Sequence, residues 1–197
     1  GGAYELFRDY GTIGITGDSA MSGDSPVKNW GGAGPADFPQ GMTKFEQDTL
    51  IAYQDKKYGC WRCTMSCGGH MSVKEDGPYQ GTAHHKVEYE TAASWGTMTL
   101  MDNFPALIKI NELCNLYGFD TIGAGCTAAF AVECYEKGIK IDPNFAMIYN
   151  NLGLLFTENK FDEKKGENFY KKSISLDEKI PEPYNNLGSL YKSQDKF

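Results

Sequence analysis

Three cysteines lie close together in the segment CWRCTMSC, residues 60–67. Their pattern is C-x2-C-x3-C, whose short spacers let the backbone curl and bring the thiolates of Cys60, Cys63 and Cys67 to one metal centre. Thiolates suit zinc and iron-sulfur clusters. Structural zinc usually has two pairs of ligands, and the sequence has no second pair, which weakens zinc. A cubane 4Fe-4S cluster with three local ligands and one distant ligand fits the spacing better, and three incidental buried thiols are the remaining alternative.

A fourth ligand for such a cluster could come from four other positions in the chain. These candidates are Cys114, Cys126, Cys134 and His70. Cys114 and Cys134 fall within helical patterns, where a cysteine is more often a small buried side chain. His70 follows Cys67 by three residues in a predicted loop, where a histidine is more often solvated. The sequence alone therefore leaves the fourth ligand open.

Composition restricts the classes of partner and compartment. The chain has 197 residues, 41% of them hydrophobic, which is enough for a globular core. Its formal net charge of -7 opposes binding to nucleic acid and to anionic membrane surfaces. No apolar run approaches the roughly 18 residues of a membrane span, and the opening GGAYELFRDYG lacks the features of a signal peptide. Cysteines at ligand spacing indicate a reducing compartment, so we expect a cytoplasmic protein, and the start at Gly-Gly suggests a fragment of a longer one.

The residues that precede the cysteines predict a helix that positions them. Residues 43–58 carry apolar side chains broadly on one side, with Thr43 as a candidate N-cap and Gly59 as the end. This helix would deliver the chain to Cys60. Gly, Pro, Ser and Asp are frequent in residues 11–42, and a similar segment follows the cysteines, so both are predicted to be long loops.

Further helices are predicted in the middle of the chain. Helical signals resume in EYETAASWGTMTLMDN, residues 88–103. Residues 103–118 have apolar side chains three or four positions apart and end at a glycine, as an amphipathic helix does. Another helix is predicted in residues 127–138, ended by Gly138. The first 140 residues are therefore expected to be mainly α, with helices joined by long Gly-rich loops.

A short internal repeat follows. The segment YNNLGLLF, residues 149–156, recurs as YNNLGSLY, residues 184–191. An offset of 35 residues is typical of a helical-hairpin repeat, and the segment resembles the tetratricopeptide repeat. Positions that would pack in its first helix are Tyr149, Leu152, Gly153 and Phe156, and FYKKSISLD resembles its second helix. The sequence therefore predicts about one and a half repeats in residues 141–197.

Several blocks of the first 140 residues resemble one enzyme family. CWRCTMSCGGH, then VEYETAASWG, then ELCNLYGFDTIGAGCTAAFAVECYEKG occur in the order seen in aldehyde ferredoxin oxidoreductases, which are tungsten-pterin enzymes. The opening YGTIGITGDSAMSGDSPVKNW resembles the entry into the second domain of that family. The similarity covers about residues 4–139. It implies a fragment of the helical middle domain, residues 1–140, followed by a tetratricopeptide tail, residues 141–197.

The resemblance implies which residues would hold cofactors. Cys60, Cys63 and Cys67 look like three ligands of the family's 4Fe-4S cluster, whose fourth ligand lies in a third domain that this chain lacks. The segment DTIG resembles the first of two pterin-binding segments, so it would supply half of a site for tungstopterin, a cofactor of the molybdopterin type. Its residues are Asp120, Thr121, Ile122 and Gly123. The alternative for Asp120 is that it only caps the following helix.

The resemblance also implies a carboxylate near the metal. Glu88 or Glu90 in EYET matches this acidic position, where a carboxylate acts as a base or orients an aldehyde. The sequence does not distinguish the two, and outside the family both resemble ordinary glutamates at a helix start. We place His84 and His85 outside the site, because the catalytic histidine of the family belongs to a later region.

The implied reaction is the two-electron oxidation of an aldehyde to a carboxylate, with water as the oxygen source. The electrons would pass through the cluster to ferredoxin. Because the flanking domains are missing, we expect the isolated chain to be inactive. Two alternatives remain at this point: a module that binds a peptide or protein partner through its repeat tail, and a binding module stabilised by zinc.

Overall fold

The computed structural model describes residues 1–158 and 162–194, apart from the side chains of Met42 and Glu158. The chain forms two compact units, residues 1–132 and 133–197. Helices predominate in the described residues, which confirms the prediction of a mainly α fold. The helices are Gly2–Tyr10 (α1), Thr16–Ser22 (α2), Gly34–Asp37 (α3), Pro39–Lys44 (α4), Gln47–Ile51 (α5), Tyr89–Ala92 (α6), Phe104–Tyr117 (α7), Thr121–Ile141 (α8), Ala146–Glu158 (α9), Glu163–Leu176 (α10) and Glu182–Ser193 (α11). Within the described part of the chain, no helix is both long and apolar enough to cross a membrane.

Short helices occupy much of the segment predicted to be a loop at residues 11–42. It contains a 3₁₀ helix at Thr12–Ile15, then α2, α3 and the start of α4, so the loop prediction is wrong in part. Ile13, Val27 and Phe38 explain the difference, because each is at most 1% exposed. Burial of these three side chains fixes short helical turns in a sequence whose local composition favours loops.

A three-stranded antiparallel sheet replaces the second half of the helix predicted for residues 43–58. Its strands are Gln54–Tyr58 (β1), Gly68–Ser72 (β2) and Ala83–His85 (β3), in the order β1-β2-β3. Both β2 and β3 lie in the segment predicted to be the second loop. The sheet therefore brackets the cysteines, which lie between β1 and β2.

The predicted helix fails for a physical reason. The sequence QDKKY of β1 is polar and four of its five residues are exposed, so it shows no apolar alternation. Its backbone pairs with β2, with Gln54 opposite Met71 and Tyr58 opposite Gly68. Thr43, the predicted N-cap, lies inside α4. Long-range pairing therefore decides the structure of residues 54–58.

The core of the first unit is an apolar cluster that joins the helices to the sheet. Phe104 at the start of α7 is central, with its ring 6.3 Å from that of Phe45 and 5.1 Å from that of Tyr53. The buried members of the cluster are Ile13, Val27, Phe38, Phe45, Leu50, Met71, Val73, Val87, Ala92, Phe104, Leu107 and Ile108. This core fixes β2 and the segment after β3, from which the site residues project.

Helix α7 confirms the prediction for residues 103–118. Asn103 caps it by accepting the backbone N–H of Ala106 at 3.1 Å, and Gly118 ends it at φ 72°. Helix α8 differs from its prediction, because it begins at Thr121 and passes through Gly138 to Ile141. The amide of Asp142 still bonds to the carbonyl of Gly138 at 2.9 Å, so this glycine does not end the helix.

The second unit contains the predicted helical hairpin, followed by one more helix. Helices α9 and α10 form the hairpin, and α11 follows it in the segment where the sequence predicts the start of another repeat. Gly153 lies under the ring of Tyr170, which is 1% exposed. Ser173 on α10 donates to the carbonyl of Ala146 on α9 at 2.7 Å. We call α9, α10 and α11 the repeat unit.

Candidate functional site

The three clustered cysteines lie on a loop that the sheet holds at both ends. We call residues 54–72, which comprise β1, this loop and β2, the cysteine hairpin. The pair Tyr58 and Gly68 closes the loop. The amide of Cys63 donates to the carbonyl of Cys60 at 2.9 Å, which forms the turn of the C-x2-C segment. Two residues of the loop have left-handed backbone conformations, Arg62 at φ 58° and Ser66 at φ 50°.

The thiols of this loop are accessible and unpaired. Cys60 and Cys63 are exposed and Cys67 is half-buried, and none of the three forms a disulfide. Trp61 between them is 87% exposed, with the guanidinium of Arg62 at 5.4 Å from the centre of its ring. Across the described residues, no three His, Cys, Asp or Glu side chains are arranged to hold one metal ion. Cysteine thiolates are nevertheless the usual ligands of iron-sulfur clusters, so the three free thiols on this anchored loop suit such a cluster by residue type.

The structure separates the two candidate carboxylates. Glu88 is half-buried and lies at the N-cap of α6, whereas Glu90 in the first turn is exposed. The hydroxyl of Thr12 donates to the Glu88 carboxylate and also accepts the amide N–H of Tyr89 at 2.9 Å. Thr12 therefore fixes the direction of Glu88 from a position 76 residues away in the chain. The sequence marked the segment YGT that contains Thr12, but it gave no sign of this bond.

Two residues that the sequence did not single out connect Glu88 electrostatically to the cysteines. Partial burial raises the pKa of Tyr58, and the negative charges of Glu88, Cys60 and Cys67 raise it further. Burial lowers the pKa of Lys86, whereas Glu88 and Cys67 act in the opposite direction. Glu88 and cysteines of the loop therefore act on the same two side chains, Tyr58 and Lys86.

Asp120 caps α8, as the alternative for this residue predicts. Its Oδ2 atom accepts the backbone N–H of Gly123 at 2.5 Å, and the side chain is exposed. A Cβ atom at position 123 would lie 3.0 Å from the same Oδ2 atom, so the glycine keeps this capping turn open. Ile122 is 42% exposed. The four residues form an accessible helix start, which suits polar groups of a ligand.

The DTIG segment contacts the helix that begins after Glu88. The hydroxyls of Thr121 and Thr91 lie 2.8 Å apart, and the indole N–H of Trp95 donates to the carbonyl of Thr121 at 2.9 Å. The contact involves a π-helical turn at Ala93–Thr97, and such turns are frequent at functional sites. The predicted catalytic and pterin-binding segments are therefore brought together in the first unit.

The four candidates for a distant cluster ligand have different surroundings. Cys114 is buried in α7, and burial raises the pKa of its thiol, with a further contribution from the charge of Asp120. Cys126 is exposed, with its sulfur 3.8 Å from that of Met98. Cys134 is exposed on α8, so the expectation that it is a buried thiol is wrong. His70 is exposed as expected, although it lies on β2 and not in a loop.

The other two histidines lie on β3. The rings of His84 and His85 are 4.4 Å apart, and His70 on β2 pairs with His85. Burial lowers the pKa of His84, and the neighbouring His85 lowers it further. All three histidines of the chain therefore lie on adjacent strands, His70 within the cysteine hairpin and the other two on the neighbouring β3.

Comparison with protein families gives two matches. Residues 2–158 match the family described as aldehyde ferredoxin oxidoreductase, domains 2 and 3. Residues 146–180 match the tetratricopeptide repeat. The matches overlap in residues 146–158, which form α9. The first match covers most of the chain, and the second covers the helical hairpin.

Two of the curated relatives agree with the first match. The tungsten-containing aldehyde ferredoxin oxidoreductase of Pyrococcus furiosus is 28% identical over 129 residues, which are 66% of this chain and 20% of the relative. The enzyme of the same name from Thermococcus kodakarensis is 31% identical over 90 residues, 46% of this chain and 14% of the relative. The uncharacterized protein ycf37 of Pyropia yezoensis is 38% identical over 71 residues, 36% of this chain and 37% of the relative. The chain thus spans a fifth or less of the length of these two tungsten-containing relatives.

Proposed function

Because the chain belongs to the aldehyde ferredoxin oxidoreductase family, we propose that its first 140 residues carry an iron-sulfur electron relay and half of a tungstopterin site. The reaction served would be the oxidation of an aldehyde. Aldehyde and water give a carboxylic acid, two protons and two electrons, and the electrons pass to ferredoxin. The observation that supports this proposal most is the arrangement of three free thiols on an anchored loop beside the half-buried Glu88.

Cys60, Cys63 and Cys67 would hold the 4Fe-4S cluster as thiolates. The cluster would supply one-electron transfer, and a tungstopterin held in part by residues 120–123 would supply a two-electron acceptor. The pair of Tyr58 and Gly68 fixes both ends of the cysteine loop, so cluster binding would require rearrangement only of the residues between them. The resemblance implies that the fourth ligand lies in the third domain of the family, and burial of Cys114 within α7 disfavours this candidate.

Glu88 is the better of the two candidates for the catalytic carboxylate. Its hydrogen bond from Thr12 holds the carboxylate in one direction, whereas Glu90 is exposed. In the proposed role Glu88 takes a proton from water or orients the aldehyde carbonyl. Thr12 is then a positioning residue, because it acts through Glu88.

Asp120 and the residues up to Gly123 would contact the pterin. The Oδ2 atom of Asp120 caps α8, and the second oxygen of the carboxylate has no hydrogen-bond partner among the described residues. That oxygen can accept an N–H group of a pterin. Thr121 is held by Thr91 and Trp95, so it would position the segment without contacting the ligand through its hydroxyl. Ile122 would supply an apolar contact.

The isolated chain is proposed to lack aldehyde oxidation. It spans a fifth or less of the two tungsten-containing relatives, and it supplies one of the two pterin-binding segments. The relay and the half-site would therefore act only together with the rest of the enzyme. Appreciable aldehyde-dependent reduction of a viologen dye by the isolated chain, after addition of tungstopterin, would contradict this part of the proposal.

Metal and acid-labile sulfide analysis tests the cluster assignment. We expect anaerobically purified protein to contain iron and sulfide in nearly equal amounts. Stoichiometric zinc without sulfide would overturn the relay and favour a binding module stabilised by zinc. Protein without any metal after reconstitution with iron, sulfide and thiol would overturn both.

A groove in the repeat unit favours a second function, the binding of a peptide or protein partner. The groove has a volume of about 360 Å³ and is lined by Leu154, Thr157, Glu163, Tyr170, Asn186, Ser189, Leu190 and Ser193. Selection of peptides from a displayed library tests this binding function. Selected peptides should bind the wild-type chain, and the control variant Leu154→Glu should lose this binding. Peptides that bind both proteins equally would place binding elsewhere.

A further inference from the structure

Lys86 is a charged side chain enclosed within the first unit. It directly follows β3 and is 1% exposed, and no other charged residue is in the buried class over the described ranges. Lysine is almost never buried without a partner, because an enclosed ammonium loses its hydration. Its burial therefore requires compensation by neighbouring groups.

The ammonium of Lys86 lies beside the third cysteine. Its Nζ atom donates to the side-chain oxygen of Gln54 on β1 at 3.1 Å. A Cβ atom at Gly11 would lie 2.8 Å from this Nζ atom and 2.9 Å from the carbonyl oxygen of Cys67. Both atoms lie close to the same point, so the Lys86 ammonium and the carbonyl oxygen of Cys67 are near each other. Gly11 leaves the space between them open and has a φ of 76°, which favours glycine.

Among the described residues, Lys86 has no anionic partner within ion-pair distance. Gln54 is neutral, and none of the ion pairs within the described chain includes Lys86. The charged groups that influence it are Glu88, Lys57 and Cys67, and the negative charge of Glu88 acts on Lys86 without forming an ion pair with it. The ammonium of Lys86 is enclosed, donates to a neutral acceptor and lies next to a loop of three thiols. These features indicate that an anionic group bound to this loop would offset its charge.

We propose that Lys86 supplies the fixed positive charge for the iron-sulfur cluster held by Cys60, Cys63 and Cys67, and thereby sets its reduction potential. The inference rests on the proposed cluster. Lys86 is a positioning residue, because it acts through the cluster and does not touch the aldehyde. Its enclosure keeps the charge at one place and shields it from screening by salt.

The direction of the effect follows from electrostatics. Reduction adds one electron, so the reduced cluster is more negative than the oxidised cluster. A nearby cation stabilises the reduced form more, and this raises the potential, especially where little water separates the charges. Loss of the Lys86 charge is therefore expected to lower the potential.

A redox titration of the reconstituted full chain, followed by electron paramagnetic resonance with an added thiol as fourth ligand, tests the inference. We expect Lys86→Met to decrease the ratio of reduced to oxidised cluster at least tenfold at the wild-type midpoint, a shift of about 59 mV for one electron. Lys86→Gln, which keeps a hydrogen-bond donor without the charge, should give the same decrease. Lys86→Arg should remain near the wild-type potential.

Lys74→Met is the matched control. It also removes one positive charge close to the same sheet, but this side chain is 75% exposed and pairs with Asp55. Solvent screens such a charge, so the potential should stay within error of the wild type. A decrease equal to that of Lys86→Met would mean that net charge, and not the place of Lys86, sets the potential, which contradicts the inference.

The outcomes separate this inference from the proposed function. Wild-type protein that takes up no iron and sulfide refutes the cluster itself. A wild-type cluster whose potential is unchanged in Lys86→Met and Lys86→Gln refutes the role of Lys86 alone. If folded Met and Gln variants bind no cluster, retention of the cluster by Lys86→Arg supports the inference, and its loss in that variant contradicts it.

Discussion

The cysteine hairpin and the repeat unit both place a tyrosine ring over a glycine, with opposite results. In the repeat unit, Gly153 lets Tyr170 pack between helices, and the ring is 1% exposed. In the cysteine hairpin, Gly68 lies under Tyr58, which remains 42% exposed. The first pair stabilises an apolar interior. The second closes a loop whose polar groups stay accessible, so we propose that the hairpin serves chemistry and the repeat unit serves packing.

The largest expected effect concerns the chemistry of the cysteine hairpin. Cys63→Ser removes one of three proposed cluster ligands, so iron and sulfide content should fall to background. Cys134→Ser changes an exposed cysteine outside the hairpin and should leave both unchanged. Elemental analysis after anaerobic reconstitution measures the difference. Equal losses in the two variants would refute the ligand assignment.

The second prediction compares the two tyrosines directly. Tyr170→Ala should destabilise the repeat unit by about 3–5 kcal/mol, because it leaves a cavity above Gly153. Tyr58→Ala should cost the hairpin only about 1 kcal/mol, because its ring is partly solvated. Hydrogen exchange of amides in α10 and in β2 reports each region separately. A larger loss at β2 would reverse the proposed division between packing and chemistry.

The third prediction compares two threonine hydroxyls. Thr12→Val leaves the Glu88 carboxylate and the Tyr89 amide without this partner, which should cost about 1–3 kcal/mol of the free energy of unfolding. Thr157 shares a neutral hydrogen bond of 2.8 Å with the Tyr170 hydroxyl, so Thr157→Val should cost about 0.5–1.5 kcal/mol. Urea unfolding measures both variants. Thr12→Ser is the control and should behave like the wild type; a greater loss from Thr157→Val would argue against the anchoring of Glu88.

The smallest effect is a pH dependence in the first unit. Burial, followed by the hydrogen bond and charge of Glu75, raises the pKa of Tyr53 from 10.0 to about 12. A raised pKa in the folded state means that stability from neutral Tyr53 is complete below pH 10.0 and is lost as the pH rises through about 12. Tyr53→Phe should therefore show a weaker loss of stability across this interval.

Absorbance of the phenolate and urea unfolding at several pH values measure this dependence. Glu75→Gln is the control, because it removes the carboxylate that accepts from the Tyr53 hydroxyl at 2.8 Å, and it should move the loss to lower pH. Identical profiles for the wild type and Tyr53→Phe would exclude Tyr53 as the cause.

Features set by neighbouring residues could be predicted from the sequence. The repeat period identified the helical hairpin, and Gly118 marked the end of α7, because its positive φ is a local property. The polar strand β1 could not be recognised, since its structure depends on pairing with β2. Gly138 is predicted to end a helix, but its backbone remains helical and α8 continues to Ile141.

The candidate site divides in the same way. Spacing alone identified Cys60, Cys63 and Cys67, and the family resemblance supplied Glu88 and the DTIG segment. Thr12 and Lys86 had no sequence signal, because their contacts with Glu88 and Gln54 join positions 76 and 32 residues apart. Only the folded chain shows which of two similar glutamates has a fixed partner.

Mössbauer spectroscopy of the protein reconstituted with iron and sulfide shows whether Cys60, Cys63 and Cys67 hold a 4Fe-4S cluster. A cubane held by Cys60, Cys63 and Cys67 has three iron sites with cysteine ligands and one site with a different ligand. We therefore expect a 4Fe-4S spectrum in which one iron site is distinct, and this spectrum should be absent in Cys63→Ser. A single tetrahedral iron without sulfide, or a protein that binds zinc and no iron, would contradict it.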